Sequence, residues 1–586
     1  QNVRISRESV LDNAKISQTI TMLADLLEFQ GANAFKIRAY RNGARVIKDY
    51  PDSINSIIEE DPVSLVSIDG IGKGVAEKCM VLVETGELPQ INEILEEIPR
   101  SVLDLLRIPG MGPKKGAMLY RELGIANLDQ LKEACEAGVV ADLKGFGAKT
   151  VESILSGIEI ADAANKRVYW AKADATAKQI LEYMQSCEDI IKIELAGSYR
   201  RRRETVGDLD ILVVSENAEA VMDHFGDYHL VESVIGRGDT KMSVRIEESL
   251  QVDLRVVPAE SFGAALQYFT GSKDHNVVLR GLAKQKGLKI NEYGVFKVEG
   301  DSETYVAGAS EEDVYAAMEL PVFPPELREA RREFDWAAAN TIPDLIKEQD
   351  LVGDLHMHTT ATDGKATLQE MVEAAQSRGL SYIAITDHSQ RVSMAHGLDA
   401  ERLLAQWKEI DTLNEKLDGS VRVLKGIECD ILEKGGMDLP DDVLSQGDWI
   451  IASVHYGQRQ SREQITDRIV GALENPYVHV VAHPTGRLIN RREAYEVDLE
   501  AVMQAAVDNG KLLELNANPA RLDLHDVHLA AAKKYGIPIV ISSDAHSVDG
   551  LDVLKYGVLQ ARRGGLTAAD VVNTKSWDAI ESILGR

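Results

Sequence analysis

Three tracts with different hydrophobic rhythms divide the 586 residues. Up to about Gly157 apolar residues recur at helical spacing, as in ISQTITMLADLLEFQG, and the tract is expected to be helical. From about Ala161 to Glu319, runs of period two appear. In DLDILVV the alternation places Asp208 and Asp210 on one face of a strand, and in SLQVDLRVV it places Asp253 opposite the face of Val252, Leu254 and Val256. A charged, proline-bearing connector follows near Pro321 to Leu345. Beyond it seven apolar, β-rich runs recur, several of them separated by helical stretches such as TLQEMVEAAQSRG and DLEAVMQAAVDNG. That β/α rhythm predicts a parallel barrel.

Composition narrows the setting. The formal charge of -29 favours solubility and disfavours nonspecific adhesion to polyanions, yet it leaves room for local phosphate sites. The four cysteines, Cys79, Cys135, Cys187 and Cys429, lie far apart without a C-x-x-C, as in a reducing compartment. No signal-like start and no apolar run of about 18 residues is present, so a soluble, cytoplasmic protein that avoids membranes is expected.

The helical tract repeats one plan three times: SIDGIGKGVAEKC, RIPGMGPKKGAML and DLKGFGAKTVESIL. Each has Gly-apolar-Gly, a lysine within a few residues, and then a helix. The glycines, Gly70 and Gly72, Gly110 and Gly112, and Gly145 and Gly147, allow a tight turn that presents backbone amides and a helix N-terminus to a phosphate. Each copy resembles the helix-hairpin-helix module. Contacts of this kind hold a DNA backbone without reading sequence.

In the second tract AGSYRRRRETVGDLDILV sets four arginines just ahead of Asp208 and Asp210. Three carboxylates on adjacent strands suit two Mg²⁺ (or Mn²⁺) ions, while Gly197, Ser198, Arg201 and its neighbours supply donors for a triphosphate. The ordered set GSYRR, GDLDILV, VDLR, YFTGSKDHNVVLR and GLKINEYGVF resembles the family X DNA polymerases, the group that includes DNA polymerase beta. The resemblance implies that Asp208, Asp210 and Asp253 are the catalytic metal ligands. It implies triphosphate contacts at Gly197, Ser198, Arg201 and Gly207, a sugar pocket lined by Tyr268, Phe269 and Gly271, Asn276 near the incoming base, and Arg255 near the acids. Gln251 and Lys273 depart from the family pattern, the first where the animal enzyme has an arginine and the second where it has an aspartate. Lys78 aligns with the lyase nucleophile of the family's N-terminal domain, but Gly74 falls where a supporting lysine is expected; an exposed helical lysine is the reading retained.

Ten of the thirteen histidines follow the connector. Ends of successive β-rich runs carry His356 and His358, His388, Glu428, His455, His483, then Asn516 and Asn518, and finally Asp544 and His546; Asp363 completes the set. Side chains at the C-terminal strand ends are where a parallel barrel builds its active site. Mixed imidazole and carboxylate ligands suit Mn²⁺ or Zn²⁺, able to polarise a phosphodiester and activate water. HMHTTATD, TDH and SDAH resemble the PHP (polymerase and histidinol phosphatase) domain, a distorted (β/α)7 barrel. The resemblance implies up to three ions: His356, His358, Glu428 and Asp544 on one, Glu428, His455 and His483 on a second, and Asp363, His388 and His546 on a third, with Arg487 helping to hold the substrate phosphate.

The expected organisation is multidomain, α+β and α/β: a helical lyase-like domain over 1–95, a fingers-like hairpin region over 96–160, a nucleotidyltransferase palm over 161–260, a thumb over 261–320, a linker over 321–350 and the barrel over 351–586. The tandem resembles bacterial and archaeal family X polymerases carrying a PHP domain, which implies gap filling in DNA repair with a 3′-5′ exonuclease or end-processing phosphoesterase. Gapped or primer-template DNA and dNTPs are the implied partners, and the chain is expected to be a monomer. Two alternatives remain open, a DNA-end nuclease with an inactive polymerase site and a small-molecule phosphatase.

Overall fold

The computed structural model describes residues 13–585 apart from 50–53, 55–56, 59–60, 69, 100, 107, 109–110, 148, 156, 159–166, 247–249, 301 and 418. The chain divides into two compact units, Gln1–Ala164 and Asn165–Arg586. No helix among the described residues is long and apolar enough to cross a membrane.

In the first unit the helices Asn13–Phe29, Ala34–Asp49, Lys73–Thr85 and Pro89–Glu97 close around Ile20, Leu23, Ile47, Val75, Leu82 and Ile91. A second core gathers Leu105, Ile108, Leu119, Leu131 and Ile154. The three repeats fold alike. The amide of Ile71 donates to the Ile68 carbonyl at 3.0 Å, that of Met111 to Ile108 at 2.9 Å, and that of Phe146 to Leu143 at 3.0 Å. Each bond closes a turn that buries the residue between the two glycines, which is why Ile71, Met111 and Phe146 are apolar.

The second unit begins with a five-stranded sheet ordered Lys192–Leu195, Asp208–Val214, Leu250–Val257, Lys241–Ile246, Val231–Arg237. Its central pair is parallel and its other pairs are antiparallel. Leu209, Ile211 and Val213 pack with helices Trp170–Met184 and Ala218–Gly226, whereas Leu212 and Val214 pack with helix Phe262–Thr270. Period-two alternation therefore leaves Asp208 and Asp210 on the Phe262 side of the sheet. A three-stranded antiparallel sheet, Leu288–Asn291, Gly294–Glu299 and Ser302–Ala307, follows with its own core.

Seven parallel strands then run in sequential order, Gly353–Asp354, Tyr382–Ile385, Arg422–Asp430, Trp449–Ser453, Val480–Val481, Leu512–Asn516 and Ile539–Ser542. Met357 bridges Ala545, and the His358 amide donates to the Ala545 carbonyl at 2.8 Å, so the first strand returns to the last and nearly closes the barrel. Alternate strand residues Tyr382, Ala384, Leu424, Trp449, Ile451 and Leu512 share a core with Trp577. Polar positions further along the same alternation, including His388, Glu428 and Glu514, are buried as well.

The segment 321–350, expected as a linker, joins the small sheet to the barrel, and part of it is packed into cores. Phe323 lies in the core of the small sheet, and the fully buried Arg328 donates to the Phe323 carbonyl at 2.9 Å and to Glu311 at 2.5 Å. Glu333 meets the buried His275 at 2.9 Å. The connector's charges are largely spent on partners remote in sequence.

Candidate active sites and DNA-binding hairpins

The parallel register makes Asp210 and Asp253 direct neighbours, with Asp208 two residues before. Glycine is required beside them: Gly197 has φ +65°, and a Cβ there would lie 2.3 Å from an Asp210 carboxylate oxygen. Burial, then repulsion from Asp208 and Asp253, pushes Asp210 up to about 7. Burial and then Asp253 also raise Asp208. Asp253 goes the other way. Burial opposes its charge, but bonds from Gln251 at 2.9 Å and from Ser243, and the Lys241 ammonium at 3.2 Å, outweigh that and lower it. The departure at Gln251 thus has a visible role. Three acids in this arrangement favour a divalent cation, because their mutual repulsion is what a cation relieves.

The four arginines divide. Arg200 forks onto Glu311 at 2.9 and 2.7 Å, and Arg201 bonds the Thr270 carbonyl at 2.5 Å and Glu329 at 3.1 Å. Arg202 lies 4.8 Å over the Trp170 ring, and Arg203 is exposed. Two of the expected phosphate cations are therefore already held by carboxylates. Gly271, at φ +69°, would place a Cβ 3.2 Å from the Arg201 guanidinium, so that side chain packs against the YFTGS turn. Tyr268 and Phe269 meet edge to face at 5.1 Å, and Arg255 sits 4.3 Å over Phe269. Asn276 donates to the Tyr268 carbonyl at 2.8 Å and accepts from Gln267 at 2.8 Å. Ser198 Oγ and Arg255 Nε are buried without a hydrogen-bond partner. Gly207 directly precedes the Asp208 strand, and Lys273 is the exposed first residue of helix Lys273–Gln285.

In the barrel, five imidazoles surround one carboxylate. Glu428 lies 2.9 Å from His388, 3.0 Å from His483, 3.4 Å from His356, 3.5 Å from His455 and 3.6 Å from His358. Asp363 meets both His388 and His546 at 3.4 Å, and Asp544 meets His358 at 3.1 Å. Three sets of side chains have ligand atoms close enough to share an ion: His358, Asp363, His388 and His546; His356, His358 and Glu428; and His388, Glu428 and His455. His358 and His388 thus each lie in two sets. Nitrogens of His356, His358 and His388 and one Glu428 oxygen are buried without hydrogen bonds, as expected of atoms shaped for a metal ion. His483 and Asp544 adopt φ of +28° and +53°, a strained backbone that the barrel rim maintains at two such positions.

Charge is redistributed within the cluster. Burial opposes ionisation of Glu428, but His455, His388 and His356 hold it well below its usual range. Burial likewise opposes charge on His388, yet Glu428 and Asp363 lift it to about 10. His358 falls to about 4 through burial and the neighbouring His546 and His388.

Sequence reasoning missed the residues that orient these rings. Glu514 accepts from the His356 ring at 2.6 Å and from the His483 amide at 2.7 Å. Asp430 meets the His455 ring at 3.0 Å, and Asn516, already visible at the end of its run, donates to the Asp544 carboxylate at 3.0 Å. Glu514 stands two residues before Asn516 and Asp430 two after Glu428, so period-two counting was the available signal. Arg487 forks onto Glu204 at 2.7 and 3.3 Å and also donates to the Leu522 carbonyl at 2.5 Å.

In the hairpins Gly70 and Gly145 occupy left-handed conformations, φ +88° and +96°, which favour glycine. Gly110 lies outside the described residues. At Gly72, Gly112 and Gly147 a Cβ would meet nothing within 4 Å, so nothing inside the protein demands glycine there. An open approach for an external backbone fits all three. Lys78 is half-buried on helix Lys73–Thr85.

The chain matches the DNA polymerase beta palm over residues 167–265 and the DNA polymerase beta thumb over 265–329. It matches a helix-hairpin-helix domain over 11–88, a SAM-like helix-hairpin-helix tandem over 102–159 and a PHP domain over 354–518. It is 41% identical over 574 residues to the DNA polymerase/3'-5' exonuclease PolX of Bacillus subtilis (strain 168), covering 97% of this chain and 99% of that protein. DNA polymerase lambda of Rattus norvegicus is 26% identical over 353 residues, 55% of this chain and 57% of that protein. A probable phosphatase of Thermoanaerobacter sp. (strain X514) is 31% identical over 236 residues, 38% of this chain and 91% of that protein.

Proposed function

Because the chain belongs to the PolX family, in which a family X DNA polymerase is joined to a PHP domain, we propose that it fills gaps in DNA and trims 3′ ends at two separate metal centres. The observation that carries this reading is the presence in one compact unit of the Asp210–Asp253 register and the Glu428-centred cluster.

At the first centre Asp208, Asp210 and Asp253 hold two Mg²⁺ (or Mn²⁺) ions. Ions bound there would supply the charge that favours an ionised primer hydroxyl and a departing pyrophosphate. The amide and hydroxyl at Gly197–Ser198 bind the triphosphate, with Arg201 as the paired cation behind them and Gly207 setting the turn into the strand. Tyr268, Phe269 and Gly271 bound the sugar, Asn276 lies by the base, and Arg255 offsets the acids. Lys241 and Gln251 keep Asp253 ionised and aimed. At the second centre His356, His358, Asp363, His388, Glu428, His455, His483, Asp544 and His546 hold up to three Mn²⁺ or Zn²⁺ ions, which polarise a phosphodiester. Glu514 and Asp430 fix the tautomers of His356 and His455. Gly70, Gly72, Gly110, Gly112, Gly145 and Gly147 grip the DNA backbone.

The test is primer extension and degradation on gapped DNA, with and without dNTPs, for the wild type and for Asp253→Ala and His356→Ala. Extension should vanish only in the first variant and degradation only in the second. Extension surviving Asp253→Ala removes the first assignment. The match of the barrel to a probable phosphatase supplies the outcome that would count against this reading, turnover of small phosphate esters outpacing turnover of DNA ends.

A further inference from the structure

The geometry points to Arg563, a residue of the barrel tract, as a positioning residue for nucleotide binding at the carboxylate centre; this rests on reading that centre as the polymerase site. Arg563 ends helix Leu554–Arg563, and its side chain is only 4% exposed. Its guanidinium meets three acceptors at once: the backbone carbonyl of Arg201 at 2.7 Å, Glu329 at 3.0 Å and Asp526 at 2.8 Å.

Arg201 closes the loop that holds Gly197 and Ser198. Its own side chain shares Glu329 and bonds the Thr270 carbonyl, one residue before Gly271. At the loop's other end Gly197 abuts Asp210. One guanidinium from the barrel tract therefore fixes the end of a loop whose start packs on a metal-competent acid and whose side chain backs the sugar turn. Arginine is needed for this. Its planar fork directs five N–H donors along fixed lines, whereas a lysine ammonium is a compact point charge that cannot span three separated acceptors.

The experiment uses the full chain with Arg563→Lys, which retains charge for Glu329 and Asp526, and Arg563→Gln, which retains donors without charge. Single-nucleotide gap filling is measured against dNTP concentration, hydrolysis of bis(p-nitrophenyl) phosphate with Mn²⁺ reports the barrel centre, and thermal melting reports folding. Losing a buried, charge-assisted bond at this distance should raise the dNTP KM about tenfold in Arg563→Lys while kcat stays within about twofold. Diester hydrolysis should be unchanged, and Arg563→Gln should raise KM further. Wild-type dNTP KM in both folded variants overturns the inference. So does a parallel fall of gap filling, diester hydrolysis and melting temperature, which marks a purely structural residue. Wild-type enzyme that incorporates no nucleotide overturns the polymerase reading itself, and the inference with it.

Discussion

In the five-stranded sheet three carboxylates face one another with the Lys241 ammonium 3.2 Å from one of them, whereas in the barrel three carboxylates are interleaved with six imidazoles. Burial opposes the charge of both groups, and their neighbours decide the outcome. Asp210 is pushed up to about 7 by burial, reinforced by neighbours that repeat its charge, whereas Glu428 is held well below its usual range because its neighbours outweigh burial. The first centre carries surplus negative charge that calls for a cation when it works. The second balances itself, so protons compete with metal for its rings.

The largest effect that tests this contrast comes from the acid at the middle of the barrel. Glu428→Gln keeps the shape of the side chain and removes the charge that five imidazoles share. Bound metal and nuclease activity should both collapse, activity by at least about 10³-fold, while gap filling stays within a few-fold. Asp253→Asn should do the reverse. Metal analysis paired with both assays decides; a Glu428→Gln enzyme that keeps its metal breaks the contrast.

A third acid separates charge balance from metal binding. Glu311 is buried, and burial opposes its ionisation, but Arg200 and Arg328 hold it down at about 2. A folded pKa below the unfolded value means the group stabilises the fold fully above about pH 4.5, with the contribution lost as pH falls toward 2. The shift corresponds to about 3 kcal/mol. Melting temperature should therefore drop steeply over that window in the wild type, and Glu311→Gln should be less stable at pH 7 with a flatter acid limb. Identical pH profiles would remove the ion pairs as the cause.

Glu514 sharpens the comparison because it holds the His356 ring from behind. Glu514→Gln should weaken metal retention about 10- to 100-fold by releasing the His356 ring, and leave gap filling unchanged. This residue also marks how far the sequence was legible. Alternation placed Asp208, Asp210 and Asp253 on the correct strand faces, and the histidines at run ends foretold the barrel rim, because both patterns are local. Glu514 obeyed the same alternation but sat one step inside the run. Partnerships across the chain were not legible: Arg200 and Glu311 are 111 positions apart, and Arg563 and Arg201 are 362 apart. A run of arginines therefore read as phosphate cations, and 321–350 as a charged linker, although packing had committed most of those charges.

The hairpins extend the comparison to a phosphate site made with almost no side-chain charge, where the expected effect is smallest. Within one hairpin the two glycines do different work. Gly70 has φ +88°, and a Cβ would lie 2.8 Å from Val46, so Gly70→Ala strains the backbone and the core together. Gly72 has φ -77°, an ordinary value for any residue, and open space where its Cβ would be. If Gly72 is only a helix cap, alanine there costs about 1 kcal/mol of stability and leaves DNA affinity unchanged. If the space is also kept clear for a DNA backbone, Gly72→Ala should in addition weaken binding to gapped duplex about threefold, and combining it with Gly112→Ala and Gly147→Ala should multiply the losses, since the three turns are separate. The slope of affinity against salt should change little, because amides and not lysines are blocked. Fluorescence anisotropy across a salt series distinguishes the two accounts: a triple variant that binds like the wild type leaves these glycines as caps, and phosphate recognition would then have to rest on lysine side chains.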